Sequence, residues 1–166
     1  FGLPVCVVRP FNTYGPRQSA RAVLPATLKQ VDSGSSSIKL GALHPTRDFT
    51  YVSDMVEALI RAAVSDNACG QAINIGSNSE TSIGEAVHLI IDLMGANVTI
   101  ECDEARLRPS AGNDRVLCDN SKARELLSWE PQFAGREGFK RGLRKTIDSF
   151  LKHETLAAGT AAGYHV

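Results

Sequence analysis

The chain has 166 residues, 43% hydrophobic and 22% charged, which fits one ordinary globular domain with a sizeable core. Eighteen basic residues balance eighteen acidic ones, so there is no positive surplus to hold nucleic acid or an anionic membrane by bulk electrostatics. No apolar run approaches the roughly 20 residues of a membrane span and the start lacks a signal-peptide pattern, so the expected location is the cytoplasm.

The first predicted element is Pro4 to Val8 (PVCVV), a short β-branched run expected to form a parallel strand covered on both faces. It leads through Arg9-Pro10 into a loop at Tyr14-Gly15-Pro16. Leu24, Leu28 and Val31 recur at helical spacing, with Pro25 tolerable in the first turn, and predict a short helix that stops before Gly34. Ser37 to Leu40 and Phe49 to Val52 read as strands around a polar loop holding His44, Pro45 and Arg47. Ser53 is placed to cap a helix whose stripe is Val56, Leu59, Ile60 and Ala63.

Ala72 to Gly76 reads as a strand ending in a Gly-Ser-Asn turn. Ser82 and Glu85 have capping-box spacing ahead of a helix carrying Val87, Ile90, Ile91 and Met94. Val98 to Glu101 predicts another strand, and Asn120 a cap for a helix with Ala123, Leu126 and Leu127. The last helix places Phe139, Leu143, Ile147, Phe150 and Leu151 on one face, and from His153 the composition suggests a loose tail over 153–166. Strands alternating with helices give an α/β class without internal repeats.

Metal, nucleophile and phosphate-loop chemistry find no support. The histidines His44, His88, His153 and His165 are scattered, neither GxSxG nor GxxxxGK[ST] is present, and Cys6, Cys69, Cys102 and Cys118 lack CxxC spacing and read as buried free thiols. Gly135, Gly138 and Gly142 lack a preceding strand and the GxG core of a dinucleotide loop. What remains is a set of polar residues at strand ends, where open α/β folds bind ligands. Asn12 offers an amide that both donates and accepts. Arg47 reads either as a guanidinium fork for a diphosphate or as a local partner of Asp48. RLRPS, residues 106–110, adds two loop arginines, for which a solvated charge is the plain alternative.

The order RPFNxYGPRQ (9–18), IKLG (38–41) with RDFxYVxD (47–54), NIGSN (74–78), LRPS (107–110) and DNSKARELLSWEP (119–131) resembles the C-terminal half of the extended short-chain dehydrogenase/reductase enzymes acting on nucleotide sugars. Within that group it is most similar to the NAD-dependent 4,6-dehydratases of nucleotide-linked N-acetylglucosamine. The resemblance implies the last Rossmann-type strand elements plus the small α/β substrate-binding domain, over residues 1–152. It implies that Asn12 meets the sugar or its phosphate, that Val23 and Leu24 lie against the nucleoside, and that Arg47 and Arg108 hold the diphosphate with Asn74. The Pro10 and Phe11 backbone would pass near the nicotinamide of NAD. The implied chemistry is oxidation at C4, loss of water across C5 and C6, and reduction at C6, in a complete enzyme expected to be a homodimer.

The family's YxxxK pair and glycine-rich cofactor turn do not occur in this sequence: Tyr14 is followed four positions later by Gln18 and Tyr51 by Met55. With a start at Phe1 on an apolar segment, the chain is expected to begin mid-fold and to lack catalytic residues of its own. A 4-epimerase, a UDP-glucuronate decarboxylase and a non-catalytic sugar-nucleotide-binding module are the alternatives.

Overall fold

The computed structural model describes residues 3–106 and 114–159. Its first strand, β1 (Val7–Pro10), pairs in parallel with β5 (Ala72–Ile75), Arg9 standing opposite Asn74 and Pro10 opposite Ile75. The expectation of a strand covered on both faces does not hold. Cys6 and Val8 pack toward Ile73, Ile75 and Met55, whereas Val5 and Val7 are exposed, because only one face of this two-stranded sheet is covered. The run beginning at Pro4 thus alternates in and out with the strand's period of two.

The chain then changes sheets. Phe11 N donates to Ile75 O at 2.9 Å, and the following residues form β2 (Asn12–Tyr14), a strand where a loop was expected. β2 runs parallel to β4 (Thr46–Tyr51), with Asn12 opposite Phe49. β4 begins at Thr46, three residues before the start predicted at Phe49, so Arg47 lies within a strand. β6 (Glu80–Ser82) and β8 (Arg115–Val116) also pair with β4, and β3 (Ser37–Leu40) pairs in parallel with β7 (Thr99–Cys102).

Helix α1 (Val23–Asp32) buries Leu24, Leu28 and Val31 on the predicted stripe, with Pro25 in its first turn. Helix α2 (Val52–Val64) departs from prediction twice. Its N-cap is Tyr51, leaving Ser53 inside the first turn, and its buried positions are Asp54, Met55, Ala58 and Ala62. The stripe picked out in the sequence points outward instead: Val56, Leu59, Ile60 and Ala63 are exposed, as is Val64. Two apolar stripes compete on this helix, and the small alanines win the inner face, where they meet the cluster holding Ile73, Ile75 and Trp129.

Helix α3 (Ile83–Met94) carries the predicted capping box. Glu85 N donates to Ser82 Oγ at 3.1 Å, Ser82 N donates to Glu85 Oε2 at 2.8 Å, and Gly95 closes the helix at φ 62°. Helix α4 (Ser121–Leu127) starts after Asn120, but that side chain does not cap it: Asn120 Nδ2 donates to Gly76 O at 2.8 Å, and Asp119 Oδ1 takes up Ser121 N instead. Helix α5 (Gly135–Gly159) lays Phe139, Leu143 and Ile147 on the aromatic core of Tyr14, Phe49 and Tyr51 and continues past Lys152, where the sequence suggested a tail. Leu, Ala, Glu and Lys in that stretch favour helix. Gly135, Gly138 and Gly142 sit in this helix and form no cofactor loop.

Trp129, fully buried after α4, donates Nε1 to Asp54 O at 3.1 Å and joins α2 to the segment before α5. Truncating it to alanine is expected to cost about 3–5 kcal/mol. Among the described residues no helix is long and apolar enough to cross a membrane, and no group of three His, Cys, Asp or Glu could hold a metal ion.

Candidate functional site

A recess of about 380 Å³ opens where β1 hands over to β2, lined by Pro10, Phe11, Asn12 and Val116. It sits beyond the carboxyl ends of the parallel pair β1 and β5, the position that an open α/β sheet leaves for ligands. Three of its four lining residues are thus ones singled out in the sequence. Asn12 is exposed at this mouth, and Asn74 stands one residue before the end of the neighbouring strand β5.

Arg47 and Asn74 do not line the recess; Arg47 is linked to it only through strand β8. Val116, which lines the recess, is its partner in the pairing of β8 with β4. Arg47 Nη1 donates to Thr46 O at 2.7 Å and to Asp114 O at 3.4 Å. The pairing with Asp48 considered for it does not form, since successive strand residues point to opposite faces. Val23 and Leu24 do not line the recess. Leu24 is fully buried against Tyr14 and Leu28, so only its backbone, at the start of α1, remains for a ligand. Arg108 lies outside the described residues.

The tyrosines of the described residues are poorly suited to proton transfer. Burial, then Tyr51 and the carboxylate of Asp54, push the Tyr14 hydroxyl far above its ordinary value. It donates to Phe139 O at 3.3 Å. Tyr51 is raised too, by burial and then Asp54. A tyrosine base needs its pKa lowered toward the working pH. The thiols divide by position: Cys118 is buried and pushed up to about 12 by burial, then Asp48 and Asp119. Contrary to expectation, Cys69 and Cys102 are exposed, Cys69 ending a 3-10 turn and Cys102 ending a largely exposed strand. His88 is exposed on α3 and has no place near the recess.

Sequence reasoning missed two residues here. Val116 belongs to a strand of two residues, too short for any periodicity to mark. Asp48 was read only as a counter-ion, but it leads directly into the strand run FTYV and is fully buried, and a buried acid without a cation collects N–H donors. A second recess, about 500 Å³ and walled by Val52, Val56 and Ile60 of α2, is apolar and belongs to the bare helix face.

The described residues form an α/β domain of mostly parallel strand pairs with a recess at the carboxyl end of β1. The family model described as GDP-mannose 4,6 dehydratase matches residues 1–142. A dTDP-glucose 4,6-dehydratase of Xanthomonas campestris pv. campestris is 30% identical over 98% of this chain and 47% of its own length. A UDP-N-acetyl-alpha-D-glucosaminuronate decarboxylase of Bacillus cytotoxicus is 33% identical over 92% of the chain and 48% of its own. The crystal structure of UDP-glucuronic acid 4-epimerase from Bacillus cereus, in complex with UDP-glucuronic acid and NAD, superposes with a TM-score of 0.80 at 27% identity. It covers 92% of this chain and 47% of that one. The chain belongs to the nucleotide-sugar epimerase/dehydratase family of extended short-chain dehydrogenases/reductases. It spans about half the length of the curated relatives it matches.

Proposed function

We propose that this chain is the substrate-binding half of an NAD-dependent nucleotide-sugar 4,6-dehydratase, with the recess at Pro10, Phe11 and Asn12 receiving the hexose and Arg47 meeting the diphosphate. The observation that carries this reading is the meeting of Asn12 and Val116, strand partner of Arg47, in one recess at the sheet's carboxyl edge. Planar guanidinium groups in a partly desolvated cleft suit a diphosphate better than ammonium groups do. Arg108 and Asn74 are proposed to complete that grip. A 4,6-dehydratase is among the relatives, matching over 98% of the chain, alongside epimerases and decarboxylases of similar identity.

The chain's own residues fit NAD on one side only. Pro10 and Phe11 offer a backbone wall for the nicotinamide, but no strand-to-helix glycine turn among the described residues offers amides to the pyrophosphate. When bound, the cofactor supplies the hydride chemistry. The chain's share is to anchor the nucleotide and so fix the hexose for reaction. The bare apolar faces of β1 and α2 support this division, since a second α/β unit packed there would cover both. Product analysis of the full-length enzyme on UDP-N-acetylglucosamine tests the reading. A 4-keto-6-deoxy product is expected, whereas a C4 epimer alone or unreacted sugar would refute it.

A further inference from the structure

Asp48 is fully buried, and no basic side chain among the described residues pairs with it. Its carboxylate is satisfied from three directions. Oδ1 accepts from Ser77 N at 2.7 Å, Ser77 Oγ at 2.8 Å and Thr50 Oγ1 at 3.3 Å. Oδ2 accepts from Asn78 N at 2.9 Å and Cys118 N at 3.2 Å. One side chain in β4 thus ties the turn after β5 to the segment leaving β8.

The fit around it is tight. A Cβ added at Gly76 would stand 3.1 Å from Asp48 Oδ2 and 2.7 Å from Cys118 Sγ, so only glycine lets the turn come this close. Asn78 takes the left-handed φ of 54° that turns its amide toward the carboxylate. Asn120 Nδ2 closes the ring from the β8 side by donating to Gly76 O. Both ends of β8 are then tied to β4. Its entry is held by Thr46 N donating to Asp114 O at 2.7 Å, and its exit by Cys118 N on Asp48.

Arg47 shares the first of these anchors, because Nη1 donates to the same Asp114 carbonyl. We infer that Asp48 is a positioning residue for Arg47: by fixing β8 and the turn after β5 against β4, its carboxylate sets where the guanidinium stands beside β8. This rests on the reading of Arg47 as a diphosphate ligand. Asp48 touches no ligand itself and acts through Cys118, β8 and Asp114.

The test is a double-mutant cycle in the full-length enzyme, read as the Kd for UDP or dTDP, whichever the wild type binds more tightly, with thermal unfolding of every variant. Arg47→Ala is expected to weaken binding ten- to a hundred-fold. Asp48→Asn keeps the size but places an amide NH2 against an N–H donor, and is expected to weaken binding at least five-fold in the Arg47 background and less than two-fold in the Arg47→Ala background. Equal losses in both backgrounds would make Asp48 a purely structural residue and overturn the inference, as would unchanged affinity in folded Asp48→Asn. If Asp48→Asn does not fold, Ser77→Ala carries the test, since it removes one hydroxyl donor only. A two-fold loss present with Arg47 and absent without it is expected, and no loss overturns the inference. Unchanged binding in Arg47→Ala alone refutes the reading of the site itself and is seen without reference to Asp48.

Discussion

Tyr14 and Gly142 are in contact across 128 positions of sequence: a Cβ at Gly142 would overlap the Tyr14 hydroxyl and stand 2.9 Å from its Cζ. The helix α5 backbone therefore lies directly on the aromatic ring that follows Asn12 in β2. Gly142→Ala is expected to destabilise the chain by about 1–3 kcal/mol, because neither a buried ring nor a helix can yield freely. Tyr14→Phe removes the overlapping oxygen, so in that background the loss is expected to shrink. Urea unfolding of the two single variants and the double variant measures the coupling, and additive losses would mean the contact is relieved in another way.

Asn12 is exposed at the recess and pairs by backbone with Phe49, so its amide is free of structural duty in the β2 ladder. In the full-length enzyme Asn12→Ala is expected to lower turnover at saturating substrate ten-fold or more, equivalent to about 1.4 kcal/mol of transition-state stabilisation. Stability is expected to stay within about 0.5 kcal/mol of wild type. Unchanged turnover would make Asn12 a bystander at the mouth.

Cys118 lends itself to a pH test. Its folded pKa, about 12, lies above the ordinary 9.0, so the folded state holds the proton more tightly than the unfolded chain. The sign follows: stability from this group is complete below pH 9 and is lost as pH rises from 9 toward 12. Tyr14 and Tyr51 are also raised and act in the same direction above pH 10, so the thiol's share is the difference between wild type and Cys118→Ala. The variant is expected to lose less stability per pH unit above 9. In the native chain Cys69 and Cys102 are expected to react with Ellman's reagent within minutes and Cys118 only on unfolding.

Much of this was legible in the sequence where one local signal decided the outcome. Ser82 and Glu85 made their capping box because its bonds need only four consecutive residues. The strand at Ser37–Leu40 held to the residue, and Asn12, picked out for its place after the first strand, lines a recess there. What failed depended on partners distant in sequence. Asn120 has cap chemistry, yet the carbonyl of Gly76 claimed its amide. The α2 stripe was assigned to the wrong side because periodicity reveals two apolar faces without telling which meets the sheet. β8 and the role of Asp48 exist only through pairing with β4, and no window of sequence contains both.

The outward stripe of α2 yields the last prediction. Ile60 is 60% exposed and Val64 78%, beside an apolar recess walled by Val52, Val56 and Ile60. Such a continuous apolar surface is costly in water and marks a place that another element covers. In a parallel sheet, consecutive right-handed crossovers set their helices side by side on one face. A unit added beyond the free edge of β1 would therefore bring its crossover helix against α2. Ile60→Asp is then expected to act oppositely in two settings. In the 166-residue chain by itself it changes stability by no more than about 0.5 kcal/mol, as an exposed substitution does, and reduces self-association. In the full-length enzyme it buries an unpaired carboxylate and is expected to destabilise by several kcal/mol and abolish activity. The chain by itself is expected to form no NADH from any nucleotide hexose with either residue at 60. Calorimetry of both proteins, paired with an absorbance assay for NADH, decides the matter: a large loss in the isolated chain would mean that the face is already covered there, and a harmless Ile60→Asp in the full-length enzyme would leave α2 facing solvent.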